Sequence, residues 1–74
     1  MTKHEFVICI VNHGYEASLG MRKLYEIIED VDADKHGKLR VIDEFGEDYP
    51  YAATFFYRVS LPASVIERVY HAHA

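Results

Sequence analysis

The fold is decided by residues 23–29, which read KLYEIIE. Across the wider window 19–31 the apolar residues recur at helical spacing, at Leu24, Ile27, Ile28 and Val31. With a period of two instead, Tyr25 and Ile27 share one face of a strand. Tyrosine and isoleucine are good strand formers, and Gly20 would weaken the start of a helix by about 1 kcal/mol relative to alanine. We therefore predict a strand over residues 23–29.

Four further segments have the composition of strands. Residues 6–11 are a run of apolar, largely β-branched side chains that ends at the turn sequence Asn12-His13-Gly14. Residues 39–43 and 48–51 flank a short segment with a glycine, which indicates a hairpin with its turn at residues 44–47. Residues 55–61 are predicted to form the last strand. With residues 23–29, this makes five short strands.

The segments between these strands carry their own signals. Residues 30–38 are polar and acidic, which predicts a loop, and residues 52–54 are predicted to form a single turn. Pro50 has no amide hydrogen, so its strand must be an edge, contain a bulge or be ending. Pro62 suits the first position of a short helix whose apolar side would be Val65, Ile66, Val69 and Tyr70. Residues 71–74 are expected to fray.

Length and composition exclude several classes of protein. Seventy-four residues are enough for one domain, which we assign to residues 1–74, and half of them are apolar, which is too many for a disordered chain. The longest apolar run has six residues, far short of the ~18 of a membrane span. A net charge of −4 argues against a nucleic-acid partner. The single cysteine, Cys9, cannot form an internal disulfide, so we expect a small hydrophobic residue in a cytoplasmic protein.

Several segments together resemble a known family. They are residues 14–19, 22–25, 39–44 and 46–49, with Tyr51, Phe56, Leu61 and Pro62. In this combination, spread over residues 8–62, the chain resembles a family of small uncharacterised bacterial proteins of similar length. More distantly, the layout is similar to the Src-homology-3-like barrel. The chain departs from the family pattern at Pro50, where a long aliphatic residue is usual, and at Ala52, where a proline is usual.

The resemblance implies a fold and no catalytic residues. In such barrels a long loop follows the first strand, a hairpin carries a glycine turn, and one helical turn precedes the last strand. The expected fold class is therefore all-β, a small five-stranded Src-homology-3-like barrel that a short C-terminal helix can close.

An acidic stretch, residues 32–43, partly matches a calcium-binding loop. Asp32, Asp34 and Asp43 take positions 1, 3 and 12 of the EF-hand pattern, and Gly37 takes position 6. His36 stands where an oxygen ligand belongs, and aspartate is short for the closing ligand, so a solvated loop is the favoured interpretation. The alternative function is a calcium- or other cation-binding protein that uses these three aspartates.

A second metal pattern lies in the tail. His71 and His73, together with His4 or His13, have the side chains for a metal site, but a terminal tail offers no groups to orient them. We interpret them as solvated imidazoles, and no cofactor is expected.

Aromatic residues and acids gather in the same part of the chain. Six of the ten aromatic side chains lie in residues 45–57, and consecutive strand residues point in alternating directions, so some must be exposed. Exposed rings beside acidic turns suit a basic or proline-rich peptide. The predicted partner-binding residues are Tyr49, Tyr51, Tyr57, Glu47 and Asp48.

These residues predict a non-enzymatic protein-binding or regulatory module. The carboxylates of Glu44, Glu47 and Asp48 have the chemistry for acid–base catalysis, but no nucleophile or oxyanion donor accompanies them in any motif. A second alternative is a structural homo-oligomer, a homodimer for example, in which the aromatic residues form the interface between copies.

Overall fold

The computed structural model describes residues 5–62 and 64–65, and most of them belong to five strands. The strands are β1 (Glu5–Cys9), β2 (Leu24–Ile28), β3 (Lys38–Ile42), β4 (Asp48–Ala52) and β5 (Phe56–Val59). The helical elements between the strands are one α-helical turn, α1 (Val31–Lys35), and one 3₁₀ turn, Ala53–Phe55; the described residues 64–65 are also helical. The prediction of a small all-β fold with five strands is confirmed.

The strands form one sheet in the order β4-β3-β2-β1-β5. Every neighbouring pair is antiparallel, and β5 returns to lie beside β1, so Ile8 is paired with Leu24 on one side and with Tyr57 on the other. This order leaves β4 and β5 at the two ends of the sheet. Pro50 lies in β4 opposite Arg40, at an edge as its missing amide hydrogen requires.

The segment that decides the fold is a strand. In β2, Tyr25 and Ile27 are only 6% and 7% exposed, whereas Leu24 and Glu26 are half-buried and Ile28 is exposed. This alternation is the period of two that a strand with one covered face requires. The prediction of a strand over residues 23–29 is therefore confirmed.

The core lies on one face of this sheet. It contains alternate residues of every strand together with Leu19 from the connection between β1 and β2: Val7, Cys9, Leu19, Tyr25, Ile27, Leu39, Val41, Tyr51 and Phe56. The rings of Tyr51 in β4 and Phe56 in β5 lie 6.1 Å apart, so side chains from the two edge strands meet in this core. Cys9 is fully buried, and burial raises the pKa of its thiol, as expected for a small hydrophobic residue.

The structure corrects the prediction for residues 30–38, which do not form a continuous loop. Asp30 caps helix α1 by accepting a hydrogen bond from the Ala33 amide at 3.1 Å, and the Ala33 side chain is buried. An aspartate cap stabilises a helix start, and a small apolar residue lets one turn lie against the sheet. Gly37 then leaves the turn with a φ of 68°, a conformation that favours glycine.

The end of the chain is described in part. β5 ends at Val59, earlier than the predicted boundary at residue 61. The Val65 amide donates to the Pro62 carbonyl at 2.9 Å. The rest of the predicted C-terminal helix, with Ile66, Val69 and Tyr70, and the predicted frayed tail at 71–74 lie outside the described residues.

Candidate partner-binding surface

Residues 10–23, the long connection between β1 and β2, form one side of the candidate site. Leu19 is fully buried and anchors this segment in the core. The amides of Ser18 and Leu19 both donate to the Tyr15 carbonyl, at 3.0 and 2.9 Å, and the Tyr15 amide donates to the Asn12 carbonyl at 2.8 Å. The Asn12 side chain in turn donates to the Leu19 carbonyl at 2.9 Å. Tyr15 is thus held by a tightly hydrogen-bonded turn.

The Tyr15 ring lies against a cluster of aromatic side chains. Its centroid is 5.1 Å from that of Tyr51, in an edge-on arrangement, 6.0 Å from that of Phe55 and 6.2 Å from that of Tyr49. The rings of Tyr49 and Tyr51 are 4.9 Å apart. Tyr51 is only 3% exposed, whereas Tyr15 and Tyr49 are 39% and 47% exposed. We call Tyr15 and Tyr49 the aromatic surface; Tyr51 supports it from below.

The turn between β3 and β4 borders this aromatic surface. Asp43 organises the turn: its carboxylate accepts from the amides of Phe45 and Glu47 at 2.9 and 3.2 Å and from the Tyr51 hydroxyl at 3.1 Å. Burial is the main reason why the pKa of Tyr51 is raised. Glu47 lies in the turn directly before β4, the strand of Tyr49 and Tyr51, and its side chain is exposed.

A second carboxylate follows Tyr15 directly in the chain. Glu16 is exposed, and hydrogen bonds to backbone groups of Glu16 and Gly14 lower its pKa, with a smaller contribution from His13. Glu16 is therefore ionised at neutral pH. Together, Glu16 and Glu47 place negative charge on both segments that carry the aromatic surface.

The turn and the long connection are joined by Glu44. Its amide donates to the Ser18 carbonyl at 3.0 Å, and its carboxylate accepts from the Tyr25 hydroxyl and lies 3.2 Å from the Lys23 ammonium. These two side-chain donors, Tyr25 first, lower the pKa of Glu44. The Tyr25 hydroxyl also accepts from the Gly20 amide at 2.6 Å.

Of the five predicted partner-binding residues, Tyr49 belongs to the aromatic surface, and Glu47 lies in the turn that leads into its strand. The expectation that Tyr51 is exposed is wrong, because its ring is covered by Tyr15 and its hydroxyl is bound to Asp43. A hydroxyl with a partner inside the fold lets a tyrosine be buried at low cost.

The other two predicted residues lie elsewhere. Tyr57 is 68% exposed, but it is next to the buried Phe56 in β5 and therefore points away from the core face. The Asp48 carboxylate is bound to Arg40 at 2.9 Å. Sequence reasoning missed Tyr15, because no periodic pattern in residues 10–23 indicates that this ring meets β4.

The alternative calcium loop is not formed. Asp32 and Asp34 are exposed on α1, whereas Asp43 lies beyond β3 with its oxygens engaged in the turn. Within residues 5–62 and 64–65, no group of three or more histidine, cysteine or acidic side chains has an arrangement that could hold a metal ion. His13 is exposed, and His4, His71 and His73 lie outside the described residues.

Comparison with protein-family models, with curated proteins and with solved structures finds no match to this chain. In the described part of the chain, no helix has the length and apolar character needed to cross a membrane.

Proposed function

We propose that the protein is a non-enzymatic protein-binding module that holds a basic, extended segment of a partner on Tyr15 and Tyr49. One observation carries the proposal: two partly exposed rings lie side by side over a third, buried ring. Buried Tyr51 and the hydrogen-bonded turn below Tyr15 hold both rings before any partner arrives. Such preorganisation reduces the conformational entropy that is lost on binding.

The chemistry of the aromatic surface favours a cationic or proline-containing segment. Tyrosine faces attract ammonium and guanidinium groups, an interaction of about 0.5–1 kcal/mol at exposed sites. Aromatic grooves also accommodate the pyrrolidine rings of extended proline-rich peptides. Glu16 and Glu47 add negative charge on the two segments that carry the rings, and the chain as a whole carries a net charge of −4. Complementary charge speeds the encounter and selects against acidic partners.

The proposal includes a finer assignment of the fold as a small Src-homology-3-like barrel in a cytoplasmic protein. Three features support the barrel: the return of β5 to β1, the long connection at residues 10–23, and the 3₁₀ turn directly before β5. The contact between Tyr51 and Phe56, which joins the two edge strands, is a fourth. The single, buried Cys9 supports a reducing environment.

The test is an NMR titration of the full chain with two unstructured peptides of equal length. One carries arginines and prolines, and the other has glutamates in place of the arginines. We expect the first peptide to shift the amide signals around Tyr15, Tyr49 and Glu47 and to bind more weakly as salt is added. The second peptide should produce no saturable shift.

Matched variants locate the site. Tyr49→Ala and Tyr15→Ala should each weaken binding of the arginine peptide by at least about tenfold, as expected for aromatic residues at the centre of an interface. Tyr57→Ala removes an equally large exposed ring from the other face and should leave the affinity within about twofold of the wild-type value. Glu47→Gln should reduce both the affinity and its salt dependence.

Two results would oppose the proposal. Equal effects of Tyr57→Ala and Tyr49→Ala would place binding elsewhere, and the absence of saturable shifts with the arginine peptide would exclude a basic segment. If light scattering shows a dimer that Tyr49→Ala dissociates, the homo-oligomer replaces the binding module as the function of this surface.

A further inference from the structure

Glu44 lies where the turn of residues 43–47 meets the long connection. Its backbone amide holds the Ser18 carbonyl, and its carboxylate holds the Tyr25 hydroxyl. Exposed side chains in turns usually point into solvent, but this carboxylate has two donors, from Tyr25 and Lys23, and is only about one-third exposed (35%). The residue therefore links two segments that are distant in sequence.

The Tyr25 hydroxyl extends this link to the backbone of the long connection. A phenol has one hydrogen to donate and lone pairs with which to accept. Because the hydrogen is directed to Glu44, the lone pairs are available to the Gly20 amide, which donates at 2.6 Å. Removal of the Glu44 carboxylate would leave the hydroxyl of the nearly buried Tyr25 without its acceptor and free to reorient, which weakens its hold on the Gly20 amide.

The last part of the link runs from Gly20 back to Tyr15. Leu19 is locked in the core, and the amides of Ser18 and Leu19 both donate to the Tyr15 carbonyl. Residues 15–19 thus form one hydrogen-bonded turn that Gly20 follows directly in the chain, and the Tyr15 ring lies at its start against Tyr51. A loop segment without such attachments would be free to move away from the sheet.

We propose that Glu44 is a positioning residue for the aromatic surface. Its carboxylate acts through the Tyr25 hydroxyl, and its amide acts directly on Ser18; together they hold residues 15–20 so that Tyr15 lies beside Tyr49. The effect on partner binding rests on the proposed function, whereas the position of the Tyr15 ring is measured in the free protein.

The experiment compares Glu44→Ala with Glu44→Gln by NMR of the full chain without a partner. In Glu44→Ala we expect the cross-relaxation between the rings of Tyr15 and Tyr49 to be lost. The Gly20 amide should exchange with solvent at least about tenfold faster, relative to the amides of β2. Glu44→Gln should retain both features, because its amide oxygen can still accept from the Tyr25 hydroxyl.

Two controls separate positioning from general stability. Glu47→Ala removes a carboxylate from the same turn without touching Tyr25 and should leave the Gly20 amide unchanged. Asp30→Ala removes a helix cap on another connection, and it should lower the stability of the whole domain while the contact between the tyrosine rings persists.

Retention of the ring contact and of slow Gly20 exchange in Glu44→Ala would overturn the inference, as would an equal loss in Glu44→Gln. If Glu44→Ala does not fold, Tyr25→Phe keeps the ring and removes only the hydroxyl, and unchanged Gly20 exchange in that variant would be equally decisive. A wild-type protein that binds no arginine peptide would remove the proposed function but leave the positional result standing.

Discussion

Two connections in this molecule are attached to the sheet in different ways. Residues 10–23 join β1 to β2 and contain no helix or strand, yet they place Leu19 fully in the core. Residues 29–37 join β2 to β3 and form helix α1, yet the buried residue of that helix is the small Ala33, while Val31 is 61% exposed.

Regular secondary structure is therefore not a measure of how firmly a segment is attached to the sheet. The first connection is attached by a buried leucine and by the hydrogen bond that the Gly20 amide donates to the buried Tyr25 hydroxyl. The second is attached by the ion pair of Asp30 and Arg40, at 2.7 Å, which lies near the surface. Burial of a leucine contributes about 1.5–3 kcal/mol, whereas a surface ion pair contributes about 0–1 kcal/mol. It is the irregular connection that carries Tyr15.

The largest effect on stability is expected for Leu19→Ala. Because Leu19 is fully buried, we expect the free energy of unfolding to fall by about 3 kcal/mol, within the range for leucine-to-alanine changes in cores. Chemical denaturation monitored by circular dichroism measures it. A loss below about 1 kcal/mol would mean that the long connection is not anchored by this side chain.

The attachment of the same connection also depends on the Tyr25 hydroxyl, so stability at alkaline pH tests it. Burial, followed by the hydrogen bond to Glu44, raises the pKa of Tyr25 to about 12 from an ordinary value of 10.0, and nearby Glu44 and Cys9 add to the rise. The protonated hydroxyl therefore stabilises the fold fully below pH 10. That contribution, about 2–3 kcal/mol, is lost as the pH rises through about 12.

The other tyrosines also ionise in this range, so the measurement is the difference between wild type and Tyr25→Phe. Denaturation curves at neutral pH and between pH 10 and 12 should converge for the two proteins as the pH rises, since phenylalanine has no proton to lose. A constant difference across the range would contradict the assignment.

A substitution in the second connection, residues 29–37, should cost less stability. In Asp30→Ala, helix α1 loses its cap and Arg40 loses one partner, so we expect a cost of about 1 kcal/mol. For a domain of this size, that lowers the thermal midpoint by about 4–8 °C. Asp32→Ala is the matched control, because Asp32 lies in the first helical turn but does not cap it.

The smallest effect is expected for Val31→Ala. Val31 is largely exposed and alanine is the better helix former, so the free energy of unfolding should change by less than about 0.5 kcal/mol. Thermal unfolding of Val31→Ala and Leu19→Ala under the same conditions compares the two losses of stability. A larger loss at Val31 would show that α1 is attached through a contact on this side chain.

Local patterns predicted the sheet well and the candidate site poorly. Alternation and strand propensity in residues 23–29 predicted β2, and the missing amide hydrogen of Pro50 limited its strand to an edge, a bulge or a strand end, of which the structure shows the edge. The polar composition of residues 30–38 led to the prediction of a loop where the structure has a helical turn. One aspartate cap and one small apolar residue are weak sequence signals for a helix. Tyr51 was wrongly expected to be exposed, since the ring that covers it comes from a distant loop.

The amino-acid sequence by itself determined which residues form strands, because a period of two and β-branched side chains act over a few neighbouring residues. It also limited the strand containing Pro50 to an edge, a bulge or a strand end. Only the tertiary structure decided that Tyr15 lies on Tyr51 beside Tyr49, and that Tyr57 points away from them. The physical reason is that alternation shows which side chains share a face, whereas the covering of that face depends on contacts between segments far apart in the chain.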